Sequence, residues 1–91
     1  MTGKERAEFR KQANTLPAIF QIGKEGLTVP LLQAIDKALT KRELVKMTVL
    51  ENCEEEPKSC ASRIAEGLEA EVIQCIGRKI VLYRPAPEEE K

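Results

Sequence analysis

The sequence predicts an α/β fold. It is a two-layer sandwich in the order α-β-α-β-α-β-β, with a four-stranded mixed sheet whose last strand is antiparallel and whose helices lie on one face. Three observations carry this. Apolar residues recur at helical spacing in three stretches and at strand spacing in four. Strands that alternate with helices pair in parallel through right-handed crossovers, and amphipathic crossover helices must bury their apolar stripe on the sheet. The chain then closes with two apolar runs around Gly77-Arg78, where a glycine first in a two-residue turn suits a type II′ hairpin. The 91 residues suit one domain, assigned to 1–85, followed by an acidic disordered tail at 86–91.

In order, residues 4–14 are rich in helix formers, with Phe9 and Ala13 placed to face a core and Arg6 and Arg10 on a neighbouring stripe. Asn14-Thr15 and Pro17 end that helix. Residues 18–22 (Ala-Ile-Phe-Gln-Ile) read as a short strand ending at Gly23. Thr28 suits an N-cap, Pro30 is tolerated in a first turn, and Leu31, Leu32, Ile35, Ala38 and Leu39 form an apolar stripe. Residues 43–50 form a second strand, with Val45, Met47 and Val49 on one face and Lys46 and Thr48 on the other. Pro57 opens a third helix that should end near Gly67, with Cys60, Ala61, Ile64, Ala65 and Leu68 inward. Residues 71–76 and 79–84 are the hairpin strands, read as strict alternations.

Net charge is zero, which argues against nucleic-acid binding by bulk basicity. The distribution is more informative. Residues 1–50 carry nine Lys/Arg against five Asp/Glu, whereas residues 51–72 carry two against seven. Such segregation favours separate basic and acidic faces. There is no histidine, the three cysteines form no C-x-x-C pair, and no nucleophile sits beside a recognisable base. No metal, cofactor or catalysis is expected. Cys53, Cys60 and Cys75 read as free thiols in a reducing compartment. Without a membrane-length apolar run or a signal-peptide core, the protein is read as cytoplasmic.

The stretch with chemical character is Gln21-Ile22-Gly23-Lys24-Glu25-Gly26-Leu27-Thr28. Its Gly-x-x-Gly turn joins a strand to a helix, and the two glycines allow positive φ and close approach of a ligand. Lys24 and loop amides, backed by the positive end of a helix, suit a phosphate.

Together with Ile76-Gly77-Arg78-Lys79-Ile80-Val81-Leu82-Tyr83-Arg84-Pro85, this stretch resembles the two signature segments of the CRM-domain family, whose bacterial single-domain members are the YhbY-like proteins. Glu43-Leu44-Val45-Lys46 resembles the start of that family's second strand, and the order of elements agrees over roughly residues 4–85. The resemblance implies a fold like the C-terminal domain of bacterial translation initiation factor three. It also implies RNA binding, with association to ribosomal RNA and precursor large-subunit particles in bacteria and to intron splicing in plants. Carried over by position, the RNA-binding residues are Gly23, Lys24, Glu25 and Gly26 in the loop, and Arg6, Arg10 and Lys11 on the first helix. Lys46, Arg78, Lys79, Tyr83 and Arg84 complete the set.

The chain departs from that pattern in three places. Glu25 puts an acid in the loop, residues 13–17 lack a basic residue, and the tail is acidic. With only three aromatics, the expected mode is recognition of structured RNA by shape and phosphate, by a monomer, with ribosomal proteins as further partners. The alternative is a protein-interaction adaptor on the ribosome, using the acidic stretch 51–72 to meet a basic ribosomal protein.

Overall fold

The computed structural model describes residues 2–85. The expected tail at 86–91 lies outside the described residues. Seven elements follow in the expected order: α1 (Gly3–Ala13), β1 (Phe20–Ile22), α2 (Val29–Arg42), β2 (Leu44–Val49), α3 (Pro57–Leu68), β3 (Glu71–Ile76) and β4 (Lys79–Tyr83).

Local chemistry sets the boundaries. α1 begins one residue before the predicted start because Thr2 and Glu5 form a capping box. The Thr2 hydroxyl accepts from the Glu5 amide at 3.1 Å, and the Thr2 amide donates to Glu5 Oε1 at 2.9 Å. Those bonds hold the Glu5 carboxyl below its ordinary range. Thr28 caps α2 as expected, accepting from Leu31 N at 3.3 Å. Pro57 opens α3, but Gly67 stays inside that helix. The stop comes at Glu69, which takes φ 56° while Ala70 N reaches back to Ala65 O at 2.9 Å.

The sheet order is β1-β2-β4-β3. β1 and β2 pair in parallel, as predicted. β4 is antiparallel to its neighbours on both sides, so the last strand inserts between β2 and β3 and those two never hydrogen-bond. Its run Ile80-Val81-Leu82 is fully buried, the pattern of a central strand covered on both faces.

α2 and α3 cover one face, where Ile35, Leu39, Cys60 and Ile64 pack on Ile22, Val45, Met47, Val49, Ile80 and Leu82. The other face is not bare. α1 lies across one end of it, packing Phe9 and Ala13 on Leu44, Ile73, Val81 and Tyr83. The helices therefore divide between the two faces, because the outward side of β4 and the start of β2 are as apolar as the inward side. Strict alternation also fails in β3, where a bulge lies between Val72 and Gln74. Ile73 joins the α1-side cluster, while Val72 and Cys75 pack with the α2–α3 core.

Among the described residues no polar or charged side chain is buried. None of the predicted site residues belongs to the buried core, so the candidate site is described at the surface.

Candidate nucleic-acid interface

The Gly23–Gly26 loop leaves the C-terminal end of β1 and feeds α2. It is a closed turn: Gly26 N donates to Gly23 O at 2.9 Å and Thr28 N to Gly26 O at 3.2 Å. Only Gly26 uses glycine's freedom, at φ 70°. Gly23 has no positive φ, and a Cβ there would meet Leu50 Cδ1 at 3.5 Å and Asn52 Oδ1 at 3.6 Å, ordinary contacts. Lys24 and Glu25 form the exposed corner. The amides of Lys24, Glu25 and Leu27 donate to no acceptor among the described residues.

The two flanks of the loop differ in charge. Toward α3 lies a groove of about 320 Å³ walled by Lys24, Glu25, Cys53, Glu54, Glu55 and Arg63. Arg63 there is held by Glu55 at 2.6 Å, and Ser59 Oγ donates to the same carboxylate at 2.7 Å. Arg63 first and Ser59 second hold the Glu55 carboxyl below its ordinary range, so it is anionic at neutral pH. Toward the sheet lies a second groove, of about 370 Å³, bounded by Gln21, Gly23, Lys24, Glu25, Gly26, Thr28 and Leu31. Glu25 is its single acid. An anion approaching the loop meets balanced charge on this second flank and a net negative charge on the first.

The remaining predicted residues do not form one patch. Arg78, in the β3–β4 turn, is at the loop's end of the sheet, donating to the Leu50 and Val49 carbonyls at 3.1 and 3.4 Å. Lys79 follows it and donates to Thr48 Oγ1 at 2.9 Å. Lys46 sits one outward position further from the loop and caps α1, its Nζ donating to Ala13 O at 3.2 Å. Each lysine keeps two further donors.

α1 contacts the far end of the sheet. Leu44 is five residues before Val49 along β2, about 16 Å at the usual strand rise. Arg6, Arg10 and Lys11 therefore do not adjoin the loop. Arg6 is engaged there, donating to Val72 O at 2.6 Å and pairing with Glu71 at 3.1 Å. Arg10 and Lys11 are exposed. Tyr83 stacks on Phe9 with ring centroids 4.2 Å apart, so that ring face meets protein. Burial first, then Glu43 and Glu5, raise its phenol above the ordinary range. Arg84 turns to the α2–α3 side and is tied to Asp36, Thr40 and the Leu68 carbonyl.

Two neighbours of the loop escaped the sequence reading. Arg63 reaches it only because α3 starts at the same end of the sheet, which no local pattern announces. Gln21 was legible, as the outward residue two positions before Gly23.

The model of the CRS1 / YhbY (CRM) domain matches residues 1–84. The chain is 38% identical over 91 residues to "Probable RNA-binding protein YqeI" of Bacillus subtilis, covering all of this chain and 95% of that protein. It is 31% identical over 88 residues to an "RNA-binding protein" of Haemophilus influenzae, covering 97% and 89%. The solution structure of a hypothetical protein from Staphylococcus aureus superposes with a TM-score of 0.80 at 39% identity, over 97% of this chain and 92% of that one. Matched over residues 1–84 in sequence, and in architecture over 97% of its length, the chain belongs to the CRS1 / YhbY (CRM) domain family.

Proposed function

We propose that this protein binds structured RNA through the Gly23–Gly26 loop, in the cytoplasm, and acts on ribosomal RNA in precursor large-subunit particles during ribosome assembly. Relatives named as RNA-binding proteins support the partner class. The observation that carries the site is an exposed turn with unspent amides and an unpaired Lys24, set at the N-terminus of α2. Its sheet-side flank has one acid against one lysine, with Arg78 and Lys79 beyond it. Amides and Lys24 take a phosphate, and the helix dipole adds to the attraction. Arg78 and Lys79 hold the next stretch of backbone with donors not spent on carbonyls or Thr48.

Binding to a folded ribosomal RNA fragment across a salt series tests the loop. Affinity should fall steeply with salt, and Lys24→Ala should weaken all RNAs alike and flatten the log–log slope by about one unit. Equal affinity of Lys24→Ala and parent at every salt would remove the loop from the site. Crosslinking in cells, followed by sequencing of the attached RNA, tests the ribosomal assignment. A second reading, an adaptor for a basic protein, is favoured by exposed Glu54 beside the Glu55–Arg63 pair. Partners that survive nuclease treatment would support it.

A further inference from the structure

One outward rung of the sheet runs unbroken across all four strands. Gln21 pairs with Thr48, Thr48 with Lys79, and Lys79 with Ile76. Directly paired residues share a face, and this face is the one opposite α2 and α3. At the usual strand spacing the rung is about 14 Å long. Its first residue, Gln21, also borders the sheet-side groove of the Gly23–Gly26 loop, so the two surfaces are continuous. Toward the other end of the strands, α1 stands over the sheet, with Lys46 reaching Ala13 and Val81 buried beneath. Loop and helix thus bound a shallow trough.

The trough combines exposed apolar side chains with polar and cationic ones. Ile76 is 66% exposed and Ile19 is 41% exposed, two of the three large apolar side chains left open among the described residues. Between them lie Gln21, Thr48, Lys46 and Lys79. No carboxylate stands on the rung; Glu71 is at the α1 end, paired with Arg6 and near Glu5, and Glu25 borders the loop groove at the other end. Lysines, hydroxyl and amide suit phosphate and ribose oxygens, and the isoleucines suit an apolar ring face. Duplex RNA shows proteins its phosphates and 2′-hydroxyls, whereas unpaired nucleotides also present base faces.

We infer that the rung Gln21–Thr48–Lys79–Ile76 is a track for unpaired RNA that continues from the loop across the sheet. Its phosphates meet Lys79 and Thr48, and a base lies over Ile76. This rests on the loop reading and adds a strand preference to it.

The test is fluorescence anisotropy with two labelled probes, an unstructured oligouridine and a fully paired hairpin stem. Ile76→Ser should weaken oligouridine roughly fivefold, from lost apolar contact, and leave the stem nearly unchanged. Lys79→Ala should flatten the oligouridine salt slope by about one unit. Both side chains are exposed, and melting temperatures measured alongside separate folding from binding. If Lys24→Ala weakens binding but Ile76→Ser and Lys79→Ala bind oligouridine like the parent, the track is overturned, and the Gly23–Gly26 loop stands as the phosphate site without Lys79. If the parent binds neither probe, both fall. A change in sedimentation on Ile76→Ser with RNA affinity intact would make the trough a contact between copies, which also overturns the track.

Discussion

Arg84 holds Asp36 twice, donating to its carboxylate at 2.7 Å and to its backbone carbonyl at 2.8 Å. The same guanidinium reaches Thr40 Oγ1 and the Leu68 carbonyl, each at 2.9 Å. One residue after β4 therefore fastens the middle of α2 to the end of α3. Arg84→Ala should cost on the order of 2–3 kcal/mol in urea unfolding, because charge-assisted bonds are lost and partners are left without a donor. Arg84→Lys should recover less than half, since a single ammonium cannot span the fork. Neither change should alter the salt slope of RNA binding.

Tyr83, the chain's single tyrosine, reports on whether α1 is docked. Phe9→Ala removes the ring that covers it. The expected outcome is a phenol ionisation midpoint that moves down toward its ordinary value, followed by ultraviolet absorbance, with α1 loosened from the sheet. An unchanged midpoint would mean that Phe9 contributes nothing to the burial of Tyr83.

The two loop glycines should respond differently to alanine. Gly26→Ala places a Cβ at φ 70° and should cost about 1–2 kcal/mol, although the space around it is open. Gly23→Ala meets only ordinary contacts and should melt within a few degrees of the parent. Thermal denaturation of the pair checks this directly. Equal losses would refute the assignment of the positive φ to one glycine alone.

Cys60 gives the fold an alkaline limit. Burial first, then Glu55 and Cys53, push its thiol from 9.0 up to about 12. The folded chain keeps this proton where the unfolded chain releases it, so the contribution is complete below pH 9.0 and is lost as pH rises toward 12. Stability should fall through that window by up to about 1.4 kcal/mol per pH unit from this group. Denaturant unfolding at several alkaline pH values should show a shallower fall for Cys60→Ala than for the parent. Thiol reagents at neutral pH should leave Cys60 unmodified in the folded chain.

Much of the fold was legible because its signals are local. Thr28, Pro57 and Gly77 each occupy the backbone role their chemistry predicts, with Gly77 at φ 57° in the hairpin turn. The strand order was not read, yet a signal existed. Ile80-Val81-Leu82 is a continuous apolar run, which marks burial on both faces rather than alternation. The same run bears on the position of α1, since Val81 and Leu44 need a cover that the crossover helices cannot supply. For the site, the loop's exposure and Lys24 followed from sequence. The fate of the other cations did not. Arg6, Lys46, Arg78 and Arg84 look like free charges in a list of residues, but each donates to a carbonyl distant in the chain. Only tertiary packing decides which arginines face outward.

The central position of β4 has a consequence for biosynthesis. β2 and β3 meet only through a strand made after both, so a nascent chain stalled before Lys79 holds one two-stranded ladder, β1–β2, and a β3 with no strand to pair with. Cooperative folding must wait until that strand has cleared the exit tunnel, and until then Val45, Met47 and Ile64 lack the apolar partner that Ile80 and Leu82 supply.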